Sequence, residues 1–293
     1  MEGASFADIR QRLKDGGHIY KKSLGQNFLL DEGWLKAIVK ASGVGENDDV
    51  IEIGPGPGGL TLALSQAARH VMAIELDRHL QPLLEPLEAQ TPNLRVVWGD
   101  AMALDIAVCA EGFLTPPYHI VANLPYYITT PLLMRFLESD WPIATYTVMV
   151  QREVAARITA RPNTPEYGAL TLAVAYRAEA RTALKVPAGA FWPPPRVDSS
   201  VLHLRALDRP SVEVASPETY FKLVRAAFAM RRKTLCNNLQ ASFSLTREVA
   251  EEVLRKAGID ARARGESLDA AQLAAVCGAL VQFLPPAATS ADV

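Results

Sequence analysis

The chain has 293 residues, of which 49% are hydrophobic and 21% charged, with a formal net charge of -2; this excludes a disordered or fibrous class. The near-neutral balance means that any nucleic-acid partner must be met by local basic patches rather than by overall charge. No apolar run reaches the ~20 residues of a membrane helix, the N-terminus lacks the basic-then-apolar order of a secretory signal, and Glu2, Asp8 and Asp15 argue against an acid-poor transit peptide, so a cytoplasmic protein is expected.

In chain order, Asp31 predicts a helix cap, with Leu35, Ile38 and Val39 on one face and Gly43 past the end. Val50 to Ile53 reads as a strand running into Gly54-Pro55-Gly56-Pro57-Gly58-Gly59, followed by a helix over Leu60 to Leu64. Further strands are predicted at 71–74, ending at Glu75; at 94–98, ending at Gly99-Asp100; at 119–122, ending at Asn123; and at 145–150. Pro86 should kink or shorten the helix after Glu75. Strands alternating with helices imply an α/β, Rossmann-like, mostly parallel sheet. Beyond Tyr167 a helical stretch (170–176) leads to a strand-like run, 183–186. The polyproline segment Phe191 to Asp198, read as a stiff extended loop, precedes a last strand at 200–204. After Asp208 to Pro210 everything reads helical, with Ser216-Pro217, Thr246 and Ser267 as helix starts and Gly258 as a stop. Two domains are expected: 1–208, binding the nucleotide cofactor and carrying the chemistry, and a small all-helical 209–293.

The three cysteines are far apart and odd in number, which suits reduced thiols, and the five histidines show no ligand spacing, so no metal centre is expected. Gly54-x-Gly56-x-x-Gly59 between strand and helix is a nucleotide-binding pattern, and Glu75 ends the next strand, where a carboxylate meets ribose hydroxyls. The pattern does not separate NAD from S-adenosylmethionine. Asp100 could accept a hydrogen bond from an adenine amine or simply cap the next segment. Since ligands bind beyond the carboxyl ends of such strands, Glu75, Asp100 and Asn123 should edge one crevice.

Asn123-Leu124-Pro125-Tyr126 closes the fourth strand. In isolation it reads as a turn; in that crevice it acquires a chemical use. An adenine exocyclic amine is a poor nucleophile because its lone pair is delocalised into the ring. Hydrogen bonds to the Asn123 side-chain oxygen and to the Leu124 carbonyl would localise and aim that pair, without a strong base. Pro125 stiffens the turn, and Tyr126 can stack on the base. Phe191 either supplies the other face of that stack or anchors the loop to the core.

These segments, with Leu24-Gly25-Gln26-Asn27-Phe28-Leu29, Glu75-Leu76-Asp77, the run Phe191 to Ser199 and Arg231-Arg232-Lys233-Thr234-Leu235, make the chain resemble the KsgA/RsmA-type rRNA adenine N6-dimethyltransferases over nearly its whole length. The resemblance implies S-adenosylmethionine as cofactor, bound by Gln26, Asn27, Phe28, Leu29, Gly54, Gly56, Glu75, Leu76, Asp100, Ala101 and Asn123. It further implies a substrate of two adjacent adenosines in the 3′-terminal hairpin of small-subunit rRNA, met within a pre-assembled subunit by a monomeric enzyme. Arg231, Arg232 and Lys233, with Lys222 and Arg225, form a basic cluster on helical spacing that could meet phosphates. Met230 and Cys236 depart from the family's usual Gln and Arg in that tail.

The glycine pattern alone permits a NAD-dependent dehydrogenase, but no histidine lies at a strand end with partners for proton relay. The related large-subunit dimethyltransferases of antibiotic resistance typically read Asn-Ile-Pro-Tyr, whereas this chain has Leu124. A non-catalytic assembly factor fits poorly with an intact set of motifs.

Overall fold

The computed structural model describes residues 4–15 and 27–284. Contacts divide the chain into two compact units: one up to Ala155 plus Glu179–Ala206, the other Ala156–Ala178 plus everything from Leu207.

The first unit holds, among the described residues, a seven-stranded sheet in the order β4-β3-β2-β5-β6-β9-β7. Its strands are β2 (Asp49–Ile53), β3 (His70–Glu75), β4 (Leu94–Trp98), β5 (Tyr118–Ala122), β6 (Ile143–Gln151), β7 (Ala178–Val186) and β9 (Ser199–Ala206). β2 through β6 pair in parallel, and β9 runs antiparallel to β6. The runs read as strands are strands for a simple reason: β2 is buried at every position and β3 at all but His70, so apolar residues are needed on both faces. From β2 the chain winds outward through β3 and β4, then returns to β5 on the other side. The carboxyl ends of β2 and β5 therefore flank the switch point at which such sheets open a crevice.

Helix α1 (Phe6–Asp15) precedes the sheet. In α2 (Glu32–Ser42) Asp31 accepts from the Trp34 amide at 3.0 Å, and Gly43 closes the helix at φ +73°. α3 (Gly59–Ser65) follows β2. α4 (Gln81–Ala89) contains Pro86 and stops three residues beyond it, the shortening a proline imposes. α6 (Tyr126–Glu138) begins at the tyrosine of the Asn123–Tyr126 turn and runs through Pro131. The polyproline segment is not wholly loop: Phe191–Trp192 (β8) pairs antiparallel with Phe28–Leu29 (β1), Phe28 opposite Trp192 and Leu29 opposite Phe191.

The second unit packs α8 (Ala169–Arg177) with α9 (Pro217–Ala227), α10 (Leu235–Phe243), α11 (Arg247–Lys256) and α12 (Ala270–Val281). A division at residue 208 puts 156–178 on the wrong side. Tyr167, Leu172 and Tyr176 belong to the helical core: Tyr176 stacks near Tyr220, Tyr167 meets Phe228 edge-on, and the Tyr167 hydroxyl donates to the Leu268 carbonyl at 2.8 Å. Ser216 and Thr246 cap α9 and α11 as expected, with Gly258 at φ +71° after α11. Ser267 does not start α12; Asp269 does, in a reciprocal capping box with Gln272.

Candidate active site

Four strand ends open onto one cavity of about 340 Å³, within the range of small-molecule sites. β2 delivers Ile53, Gly54 and Gly56 to it, β3 Ile74 and Glu75, β4 Gly99 and Asp100, and β5 Asn123. Two glycines are required by close approach. Gly54 sits at φ +71°, and a Cβ there would lie 2.9 Å from Leu124 Cδ2; Gly56 sits at φ +57°, and its Cβ would lie 3.3 Å from the Phe28 ring. Two segments distant in sequence, at Leu124 and at Phe28, thus converge on the bare backbone of one loop.

Glu75 is 7% exposed. Its carboxylate accepts from the Asp77 amide at 2.8 Å and the Gly56 amide at 3.2 Å, tying the glycine loop to the end of β3. Burial pushes its pKa up against these amides. Asp100 is exposed; one oxygen accepts from the Met102 amide at 2.8 Å. The Asn123 side chain lines the cavity with no hydrogen-bond partner among the described residues. Tyr126 is held from behind, its hydroxyl 2.7 Å from Ser199 Oγ, and burial raises its pKa. On β2, before the loop, Glu52 is 1% exposed and neither carboxylate oxygen has a hydrogen-bond partner among the described residues. Burial pushes its pKa up to about 8, with the nearby Thr61 hydroxyl opposing and Glu75 repulsion adding.

The cavity is lined by apolar side chains (Ile53, Ile74, Leu76, Met102) together with three carboxylates, Glu75, Asp77 and Asp100. The model for ribosomal RNA adenine dimethylases matches residues 17–277. The chain belongs to the ribosomal RNA adenine dimethylase family. This dimethylase is thus a methyltransferase. It is 45% identical over 276 residues to the ribosomal RNA small subunit methyltransferase A of Shouchella clausii, covering 93% of each chain. To the Streptococcus gordonii protein of the same name it is 44% identical over 285 residues, 96% of this chain and 98% of that one. Among solved structures, a dimethyladenosine transferase from Plasmodium falciparum shares the fold (TM-score 0.71, 24% identity, covering 86% of this chain and 96% of that chain). The 23S rRNA methyltransferase ErmE aligns with TM-score 0.65 at 29% identity, covering 87% of this chain and all of that one.

In this dimethylase the cavity wall includes Asn27, Phe28, Gly54, Gly56, Glu75, Leu76, Asp100, Ala101 and the turn Asn123 to Tyr126. Leu29 departs from expectation: its side chain is 3% exposed and packs into the main core. Gln26 lies outside the described residues. Phe191 anchors its segment in the core and also lines the cavity; its neighbour Trp192 is half exposed. Tyr127, 63% exposed, also lines the cavity, and nothing in the sequence singled it out. Ser199, the partner of Tyr126, was within reach of sequence reasoning because it closes the motif that Phe191 opens.

The basic segment belongs to the helical unit, and its expected helical spacing is not realised. α9 ends at Ala227 and Thr234 caps α10 by accepting from the Asn237 amide, so Arg231, Arg232 and Lys233 fall in the intervening turn. Arg231 donates to the Pro165 carbonyl at 2.8 Å and lies 3.6 Å from Glu266; Arg232 and Lys233 are exposed. Among the described residues no cluster of His, Cys, Asp or Glu could hold a metal ion, and no helix is long and apolar enough to cross a membrane.

Proposed function

We propose that this dimethylase uses S-adenosylmethionine to convert two adjacent adenosines in the 3′-terminal hairpin of small-subunit rRNA to N6,N6-dimethyladenosine. In this reading it is a cytoplasmic monomer that meets its substrate within an assembling subunit and thereby takes part in ribosome biogenesis. The observation that carries it is Asn123: an amide with no hydrogen-bond partner among the described residues, on a cavity wall, directly after a strand end. The names of relatives with 44–45% identity favour the small subunit.

The residues fit the cofactor. Glu75 would accept from ribose hydroxyls and Asp100 from the adenine amine, while the bare backbone at Gly54 and Gly56 would leave room and Leu76 would lie against the ligand; all five line the cavity. S-adenosylmethionine supplies an electrophilic methyl group on a sulfonium. The chain's task is the target nitrogen. Asn123 Oδ1 and the Leu124 carbonyl accept its two N–H groups, turning the lone pair out of the ring. Tyr126, fixed by Ser199, stacks on the base, and Phe191 lies along the same wall. As nitrogen gains its fourth bond an N–H proton becomes acidic and passes to water. Arg232 and Lys233 contact backbone phosphates.

The test is transfer of labelled methyl from S-adenosylmethionine to small subunits prepared from cells lacking this modification. Label recovered as N6,N6-dimethyladenosine at two neighbouring positions is expected. Label confined to large-subunit rRNA, or absent from adenine, contradicts the reading. Thermal stabilisation by NAD(H) but not by S-adenosylhomocysteine would instead indicate a dehydrogenase.

A further inference from the structure

The turn that carries Asp100 is closed on itself. The Asp100 carbonyl accepts from the Ala103 and Leu104 amides, both at 2.9 Å, and its Oδ1 accepts from the Met102 amide. Of the turn's other carbonyls, those of Ala101 and Leu104 are taken from outside the turn. A single side chain takes both carbonyls: Arg135 donates through Nη1 to Ala101 and through Nη2 to Leu104, the latter at 2.9 Å. Its guanidinium lies 5.1 Å from the ring centroid of Trp141, which itself packs at 5.7 Å from Phe136. The arginine is half-buried, so these charge-assisted bonds are partly shielded from water.

Arg135 stands on α6, the helix that opens with Tyr126, nine residues and about 13 Å of helix further on. We infer that Arg135 is a positioning residue that clamps the Asp100–Leu104 turn to α6, setting the cofactor-side carboxylate in register with the turn that holds the target base. This rests on the assignment of Asp100 to the cofactor's adenine. The planar fork of arginine suits two carbonyls at once, whereas a lysine ammonium is a flexible point charge. Loss of the clamp therefore frees the turn to sample arrangements in which Asp100 no longer faces the cavity, and affinity falls by the fraction of time it is misplaced.

The experiment is calorimetric titration of S-adenosylhomocysteine into full-length wild type, Arg135→Met, Arg135→Lys, Asp100→Ala and the Asp100→Ala/Arg135→Met double variant. Arg135→Met should bind about tenfold more weakly and Arg135→Lys should recover part of the loss. With cofactor saturating, kcat of Arg135→Met should stay within about threefold of wild type, so that the defect appears in KM. The double variant should bind no more weakly than Asp100→Ala alone, because the arginine acts through that turn. If Asp100→Ala weakens binding while Arg135→Met binds like wild type, or if the two losses add in full, the clamp is refuted although the cofactor site stands. If Asp100→Ala itself binds like wild type, the assignment of Asp100 fails, and the clamp with it. Should Arg135→Met not fold, Arg135→Lys carries the test, and unchanged affinity there overturns the inference.

Discussion

Asp49 opens β2 at the amino edge of the sheet; Asp100 and Asn123 follow β4 and β5 at the carboxyl edge. The Asp49 side chain is fully buried, and every lone-pair direction is used: Arg69 donates to both oxygens at 2.8 and 2.6 Å, His70 Nδ1 lies at 3.1 Å, and the Thr115 amide completes the set. At the other edge Asn123 has no hydrogen-bond partner among the described residues, and Asp100 is exposed with one oxygen engaged. A polar group that the protein satisfies itself is a structural joint; one left unsatisfied on a cavity wall is kept for something that arrives later. The same parallel sheet therefore separates stability from chemistry along its strands.

The largest expected stability effect comes from the amino edge. Asp49→Ala removes the acceptor from an arginine, a histidine and a backbone amide, and should cost on the order of 3 kcal/mol in urea unfolding. Methyl transfer per folded molecule should be unchanged. A variant that kept its stability but lost transfer would erase the contrast between the edges. Acid sharpens the same point. Burial pushes the Asp49 pKa up, but the combined bonds from Arg69, Thr115 and His70 bring it below the ordinary 3.8. Its contribution is therefore present above pH 3.8 and lost as pH falls through the lower folded value.

Glu52, between the edges, behaves in the opposite sense. Its pKa of about 8 lies above the ordinary 4.5, so the folded state holds the proton more tightly and stability declines as pH rises from 4.5 towards 8. Glu52→Gln should flatten that decline, giving a variant that gains on wild type in melting temperature at pH 8 relative to pH 5. Parallel curves would mean that Glu52 is ionised in the fold. The smallest effect is expected at Tyr126→Phe, which keeps the ring and loses only the bond to Ser199. Stability should fall by about 1 kcal/mol and transfer by less than about fivefold, whereas Tyr126→Ala should lose far more transfer if stacking is its role.

Much of the sheet was legible because buried strands need unbroken apolar runs and because Asp31, Ser216 and Thr246 announce their helices. The convergence of Gly54, Glu75, Asp100 and Asn123 was legible too, since each ends a strand and strand ends share an edge. Contacts distant in sequence were not. Nothing local pairs Phe28–Leu29 with Phe191–Trp192, and that pairing turns Leu29 into the core. Residues 156–178 read as a continuation of the first domain until their aromatic partners, Tyr220 and Phe228, are known. Ser267 reads as a cap because it has the same chemistry as Asp269, two residues on; Gln272, three residues after Asp269, is the signal that separates them. α6, which carries Pro131 inside it, is not among the helices read from the sequence, and neither is the route from Tyr126 to Arg135.

The most direct test of the account is Asn123→Ala, measured for both S-adenosylhomocysteine affinity and methyl transfer to unmodified small subunits. If the unpartnered amide exists to orient the target amine, transfer at saturating cofactor should fall by about a hundredfold or more, while affinity falls by no more than about tenfold and the melting temperature holds. Transfer within threefold of wild type would contradict it.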